Sequence, residues 1–291
     1  MITVRGVAEA RAWAASARAC GARVALVPTM GALHAGHVAL LRAARRHADA
    51  VAISVFVNPT QFGPGEDFAR YPRDLGRDAA LAAEAGADML FAPAVEEMYP
   101  EGAEVAVDPG PLGGILEGAV RPGHFRGVAT VVAKLLSALA PHVAVFGQKD
   151  AQQVLVVRAL VRGLLLPVRV LCVPTVRDGD GLALSSRNAY LDAPAREAAP
   201  VLARALGAAT ALLEAGERSA AAVEARLAAV LAEEPRLRPD YAVARAAPEL
   251  LPRPVLEGRV LLLVAGRLGS TRLLDNACLE VGPAGCRPAL P

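Results

Sequence analysis

The chain has few cysteines, no long apolar run and almost no excess of either charge, and each shortage argues against a class of protein. Its four cysteines, Cys20, Cys172, Cys278 and Cys286, are widely spaced except for the last two, and no C-x-x-C occurs. A disulfide framework is therefore not expected, nor is a zinc site built on two close pairs; free thiols in a reducing cytoplasm are. No stretch approaches the roughly 20 uncharged apolar residues that a membrane-spanning helix needs. The opening MITVRGVAEARAWAASARACG has charges scattered where a secretory leader would be continuously apolar. With 31 basic and 29 acidic residues the formal net charge is +2, so no general polyanion surface is expected and any anion site must be local. The cations are overwhelmingly Arg, which reads as compositional bias and not as a nucleic-acid patch. No G-x-G-x-x-G follows the first predicted strand, which argues against a nicotinamide dehydrogenase.

What is present points to an enzyme-sized α/β protein. The 291 residues are 54% hydrophobic and 21% charged, enough to bury a large core and to form one full domain and a smaller one. Short β-branched or apolar runs at 23–27, 51–57, 89–92, 143–146 and 168–173 alternate with helical periodicity at 36–48, 74–85, 128–139 and 151–163. This is the pattern of a Rossmann-like, doubly wound parallel sheet. After Thr175 the pattern changes to helical stretches at 194–215 and 219–233 followed by strands at 241–246 and 259–264. A smaller α/β C-terminal domain is expected, with the division at 1–176 and 177–291, and a frayed Gly/Pro-rich tail after Cys278.

Candidate chemistry lies at strand ends. The first run leads into PTMGALHAGH, a strand-turn-helix at the carboxyl edge of the sheet, where open α/β proteins bind ligands. Gly31 and Gly36 are expected to clear Cβ atoms from a phosphate's path, and the N–H groups opening the helix to favour an anion. His34 and His37, three apart, supply two donors for phosphate oxygens. Ordinary loop glycines and internally satisfied histidines remain an alternative. So does a metal pair joined by His47, although no carboxylate stands at ligand spacing.

The second strand ends in SVFVNPTQF, where Asn58 and Gln61 offer amides that bind hydroxyls or carboxylates without titrating; a plain Asn-Pro turn is the competing reading. The fourth ends in VFGQKDAQQ: Gly147 allows close approach, Lys149 is a compact cation, Asp150 can cap a helix, and Gln153 lies one turn further on. LSSRN, Leu184 to Asn188, offers two hydroxyls and a guanidinium suited to phosphate, or else a solvated helix cap. As an interdomain loop it would serve as a lid. Glu117, Arg121, His124 and Arg126 fall in a predicted mobile loop before a helix.

Six of these segments, PTMGALHAGH, FVNPTQF, RPGHFRGVATVV, GQKDAQQ, PTVRDGDGLALSSRN and GRLGSTRLLDN, occur in order across 28–276, and together they resemble the pantoate:β-alanine ligase family. The H-x-G-H turn also resembles that of the wider nucleotidylyltransferase superfamily. The resemblance implies ATP-dependent condensation of (R)-pantoate with β-alanine through a pantoyl adenylate. It implies an ATP site made of Met30, Gly31, Ala32, Leu33, His34, Ala35, Gly36, His37, Gly147, Gln148, Lys149, Asp150, Val176, Leu184, Ser185, Ser186 and Arg187. Within it His34, His37, Lys149 and Arg187 are catalytic. It assigns pantoate to Gln61 and Gln153 and β-alanine to Gln61. Mg²⁺ is implied with ATP, near Asp150 and without a dedicated protein cage, as is a homodimer. Two departures, Gln148 where the family often has Glu and Leu184 where it often has Met, fall where backbone contacts are expected.

Overall fold

The computed structural model describes residues 1–102, 104–283 and 285–291, and its chain divides into two units. The first comprises Met1–Gly147 and Gln152–Val173; the second comprises Gln148–Ala151 and Pro174–Pro291.

The first unit is built on six parallel strands, β1 (Ile2–Val4), β2 (Val24–Thr29), β3 (Ala50–Val55), β4 (Met89–Phe91), β5 (Val143–Gly147) and β6 (Arg169–Val173), ordered β1-β4-β3-β2-β5-β6. The five anticipated strands are there. The sixth, β1, is a three-residue edge strand, too short to register as alternation. Helices α1 (Val7–Ala19), α2 (Ala35–His47), α3 (Leu75–Glu84), α4 (Val95–Met98), α5 (Glu117–Val120), α6 (His124–Leu139) and α7 (Ala151–Gly163) complete the unit.

Strand pleat decides which helices cover which face. Leu26, Ala144 and Phe146 point into a core filled by Ala10 and Ala14 of α1, Val128 to Leu139 of α6, and Val154 and Val157 of α7. Ala25, Val27, Val143 and Val145 face the opposite core with Leu40, Leu41 and Ala44 of α2 and Ala82 of α3. Both faces are covered, so the central strands β2 to β5 are mostly buried and mostly apolar, as a parallel sheet requires. Strand order reverses at β2, which pairs with β3 on one side and β5 on the other. That switch point puts the loop after β2 where such sheets take ligands.

The stretch containing Glu117, Arg121, His124 and Arg126 is not the loop predicted. Glu117 opens α5, and α6 begins at His124, four residues earlier than periodicity placed it, because Gly123 takes φ 84° and lets the chain turn directly into the helix.

The second unit pairs helices α8 (Ala193–Ala198), α9 (Val201–Glu214) and α10 (Ala220–Ala232) with a four-stranded antiparallel sheet of order β10-β9-β8-β7. These strands are β7 (Leu237–Ala246), β8 (Gly258–Leu268), β9 (Thr271–Gly282) and β10 (Gly285–Pro288). The single helix expected over 194–215 is two, divided near Pro200. The tail expected to fray instead continues β9 and returns as β10, with Leu279 and Val281 buried against the helices. Its glycines made it read as a loop, whereas its apolar alternation is that of a strand.

Candidate active site

Two backbone donors and two rings define the turn after β2. His34 is the N-cap of α2, in extended conformation, and its Nδ1 accepts the Gly36 N–H at 3.1 Å. The His37 Nδ1 accepts the His34 N–H at 3.2 Å, and the ring centroids lie 4.2 Å apart. With each Nδ1 an acceptor, the proton of the neutral ring resides on Nε2, so both imidazoles are presented as Nε2–H donors.

The glycines serve the turn itself. A Cβ on Gly36 would sit 2.8 Å from Cε1 of His34, so the missing side chain makes room for the capping ring. Gly31 takes φ 87°, and a Cβ there would lie 2.8 Å from Asp78 Oδ2 and 2.9 Å from Val55 Cγ1. Most N–H groups expected to await an anion are also in use. Gly31 donates to Thr29 Oγ1 at 3.2 Å, Ala32 and Leu33 donate to Asp78 at 2.9 and 2.7 Å, and His37 and Val38 donate to the His34 carbonyl. What this turn offers an anion is therefore its two Nε2 atoms more than its backbone.

Gln61 closes the 3₁₀ turn Pro59–Gln61 and is 8% exposed. Its orientation follows from a chain of donors. Tyr99 donates to Asn58 Oδ1 at 2.8 Å, as does Thr60 Oγ1 at 2.9 Å, which fixes that oxygen as the acceptor end. Asn58 Nδ2 then donates to Gln61 Oε1 at 3.1 Å and to the Gly127 carbonyl at 3.2 Å. Gln61 Nε2 is left as its donor end, 2.9 Å from the weakly accepting Met30 Sδ. The pantoate amide and the ATP turn assigned by the resemblance thus meet in one place.

Behind Gln61 lies a cluster that its sequence did not disclose. Arg121 grips Glu66 with two bonds, 2.8 and 2.6 Å, and places Nη1 3.1 Å from His124 Nε2. A guanidinium cannot accept, so Nε2 accepts and Nδ1–H donates to the Gln61 carbonyl at 2.8 Å. Burial, then the Arg121 charge, push His124 down to about 4, with the Gln61 carbonyl opposing. Burial pushes the Glu66 carboxyl up, but the Arg121 hydrogen bond and charge outweigh it and hold it below the ordinary range.

A proton linkage follows. Unfolded His124 takes up a proton near its ordinary value of 6.5, whereas folded His124 resists until about 4. Stability is thus fully present above pH 6.5 and drains as pH falls toward 4. His124→Asn keeps a donor for the Gln61 carbonyl and removes the titration. Wild type is expected to lose about 2 kcal/mol more than this variant between pH 7 and pH 5, because the unfolded chain holds one more proton than the folded chain over most of that interval. Denaturant melts at the two pH values check it; parallel losses contradict it.

The remaining assigned residues divide between the units. Gly147 ends β5 and Gln153 lies in the first turn of α7, half-buried, in the first unit. Gln148, Lys149 and Asp150 belong to the second. There Asn276, 2% exposed on β9, donates both Nδ2 protons to the carbonyls of Gln148 and Lys149, at 2.9 and 2.8 Å. The neighbouring Asp275 takes a two-point ion pair from Arg177 at 2.5 and 3.0 Å. The Asp-Asn of GRLGSTRLLDN is thereby accounted for: it pins the backbone that carries Lys149 and the hairpin that carries Val176 and Leu184. Leu184 donates its N–H to the Val176 carbonyl, and Ser185 caps the 3₁₀ helix Ser186–Tyr190 by accepting the Arg187 N–H at 3.3 Å. Lys149 Nζ stands 3.6 Å from Asp150 Oδ1. Among the described residues no three His, Cys, Asp or Glu gather as a metal site, and none of the four cysteines is in a disulfide. Nor, among them, is any helix long and apolar enough to cross a membrane.

Comparison with known proteins shows the family to which the chain is similar. A family model described as pantoate-beta-alanine ligase matches residues 2–278. The pantothenate synthetase of Moorella thermoacetica is 52% identical over 281 residues, covering 97% of this chain and 99% of the relative. The crystal structure of pantothenate synthetase from Thermus thermophilus superposes with a TM-score of 0.90 at 52% identity, covering 95% and 98% of the two chains. The pantoate-beta-alanine ligase of Francisella tularensis, solved with beta-gamma ATP and beta-alanine, gives a TM-score of 0.78 at 31% identity over 95% and 97%.

Proposed function

The chain belongs to the pantoate-beta-alanine ligase family, and from that membership we propose how its own residues divide the reaction. It is a ligase that joins pantoate to β-alanine at the expense of ATP. Because a carboxylate is a poor electrophile, the pantoate carboxylate first attacks the α-phosphorus of ATP, expelling pyrophosphate and leaving pantoyl adenylate. The β-alanine amine then attacks the acyl carbon, AMP departs, and the amine's proton is lost to give pantothenate.

His34 and His37 act on the phosphates of ATP as paired Nε2–H donors. Their work is electrostatic: negative charge passing to the leaving pyrophosphate needs fixed donors more than it needs a transferred proton. The observation that carries this reading is the occupation of both Nδ1 atoms by backbone N–H groups, which makes donors of both Nε2 atoms. Lys149 and Arg187 bear on the same phosphates, and Gly147 to Asp150, Val176 and Leu184 to Arg187 hold the nucleotide. Mg²⁺ would arrive with ATP. The protein near Lys149 offers it one partly exposed carboxylate, Asp150, which suits a metal held mainly by phosphates and water.

Gln61 and Gln153 hold pantoate, and Gln61 also meets β-alanine. With its oxygen engaged by Asn58, Gln61 donates Nε2–H to a substrate oxygen. Gln61→Ala is expected to raise the KM for pantoate by roughly 10- to 150-fold, the worth of a hydrogen bond to a charged group. Steady-state titration of pantoate checks this, and an unchanged KM removes Gln61 from the site. A cytoplasmic homodimer completes the reading; sedimentation equilibrium would give twice the 30.0 kDa chain mass.

A further inference from the structure

Asp78 has no place in the chemistry above, yet it is 1% exposed and accepts two backbone N–H groups of the histidine turn. It lies in the first turn of α3, whose N-cap, Asp74, already accepts the Arg77 N–H at 3.0 Å. The Asp78 side chain is not needed to cap its own helix. It reaches across to residues 45 and 46 positions away: Oδ1 accepts the Leu33 N–H at 2.7 Å, and Oδ2 accepts the Ala32 N–H at 2.9 Å. Ala32 holds φ 51°, a left-handed conformation that a residue with a Cβ avoids unless its surroundings impose it. Gly31 packs against the same carboxylate so closely that a Cβ would lie 2.8 Å from Oδ2. A buried negative charge beside a turn that receives a polyanion is electrostatically the wrong choice, so its presence calls for a positional reason.

We infer that Asp78 is a positioning residue for the histidine turn: its two oxygens fix Ala32 and Leu33, and through them the place at which His34 and His37 present Nε2–H. The inference rests on the reading of that turn as the ATP-phosphate site. A carboxylate suits the task and an amide does not, because the two N–H groups point at two separate oxygens. An amide supplies one oxygen and turns an NH₂ group toward the second N–H, donor against donor.

Asp78→Asn is accordingly expected to raise the KM for ATP about tenfold, the effect of one buried N–H left unpaired, and to slow adenylate formation. Capture of preformed pantoyl adenylate by β-alanine is expected to stay within about twofold of wild type. Amide exchange should quicken at Ala32 and Leu33 and not in β2. A merely structural role would lower the melting temperature and the active fraction, but per active site it would leave the KM for ATP and the ratio of the two half-reactions unmoved; that result overturns the inference. If the asparagine variant does not fold, Asp78→Glu, which keeps both acceptors one methylene further out, is expected to show the same split, and wild-type ATP kinetics in it would overturn the inference equally. His34→Ala is measured alongside. If it leaves ATP kinetics intact, the turn is not the phosphate site. If it impairs them while the Asp78 variant does not, the turn is the site and Asp78 does not position it.

Discussion

His37→Ala is expected to slow adenylate formation by about 10²- to 10³-fold, the range found when one preorganised donor to a developing oxyanion is removed. Two functions are lost together. The Nε2–H donor goes, and so does the acceptor for the His34 N–H, so the second imidazole loses its seat as well. Two milder variants separate these. His37→Asn can place an acceptor near Nδ1 and restore the cap without the distal donor. His37→Gln can place an N–H near Nε2 and restore the donor without the cap. Since charge stabilisation is the larger effect, glutamine should recover more of the rate than asparagine. Single-turnover formation of pantoyl adenylate measures it, and greater recovery by asparagine than by glutamine would assign His37 to shape alone.

Lys149→Ala is the second large effect. The chain has one other lysine, Lys134, and that one donates to the Met98 carbonyl with its ammonium over the Tyr99 ring. Lys149 is differently placed: Asn276 holds its backbone, and its ammonium lies 3.6 Å from Asp150. A compact cation fixed from behind suits charge that moves onto pyrophosphate. Loss of about 10²-fold or more is therefore expected in adenylate formation, while β-alanine capture of preformed adenylate changes little. Equal losses in both steps would refute the assignment.

Much of this was legible in sequence because it is local. Strand, turn and helix around PTMGALHAGH follow from a buried apolar run, two glycines and a 3.6-residue period, and the structure puts all three where periodicity placed them. What was not legible depends on partners distant in the chain. Asp78 sits in LGRDAALAAE as an ordinary charged residue on a helix, and only the fold brings it to Ala32 and Leu33. The Glu66–Arg121 pair, separated by 55 residues, is of the same kind, and without it His124 looks like a loop histidine. Gly36 has a neighbour that the sequence did not show: its missing Cβ makes room for the imidazole two residues earlier. In the second unit, Gly282 and Pro283 hid a β-return that the apolar alternation of Leu279 and Val281 carries through.

The central claim is that this chain activates a carboxylic acid as an adenylate before any amine is engaged. Exchange of labelled pyrophosphate into ATP, with β-alanine omitted, tests it most directly. Exchange that appears only when pantoate is added, and not with a phosphate ester in its place, is the predicted result. ATP binding with no pantoate-dependent exchange and no AMP released when β-alanine is supplied would contradict it.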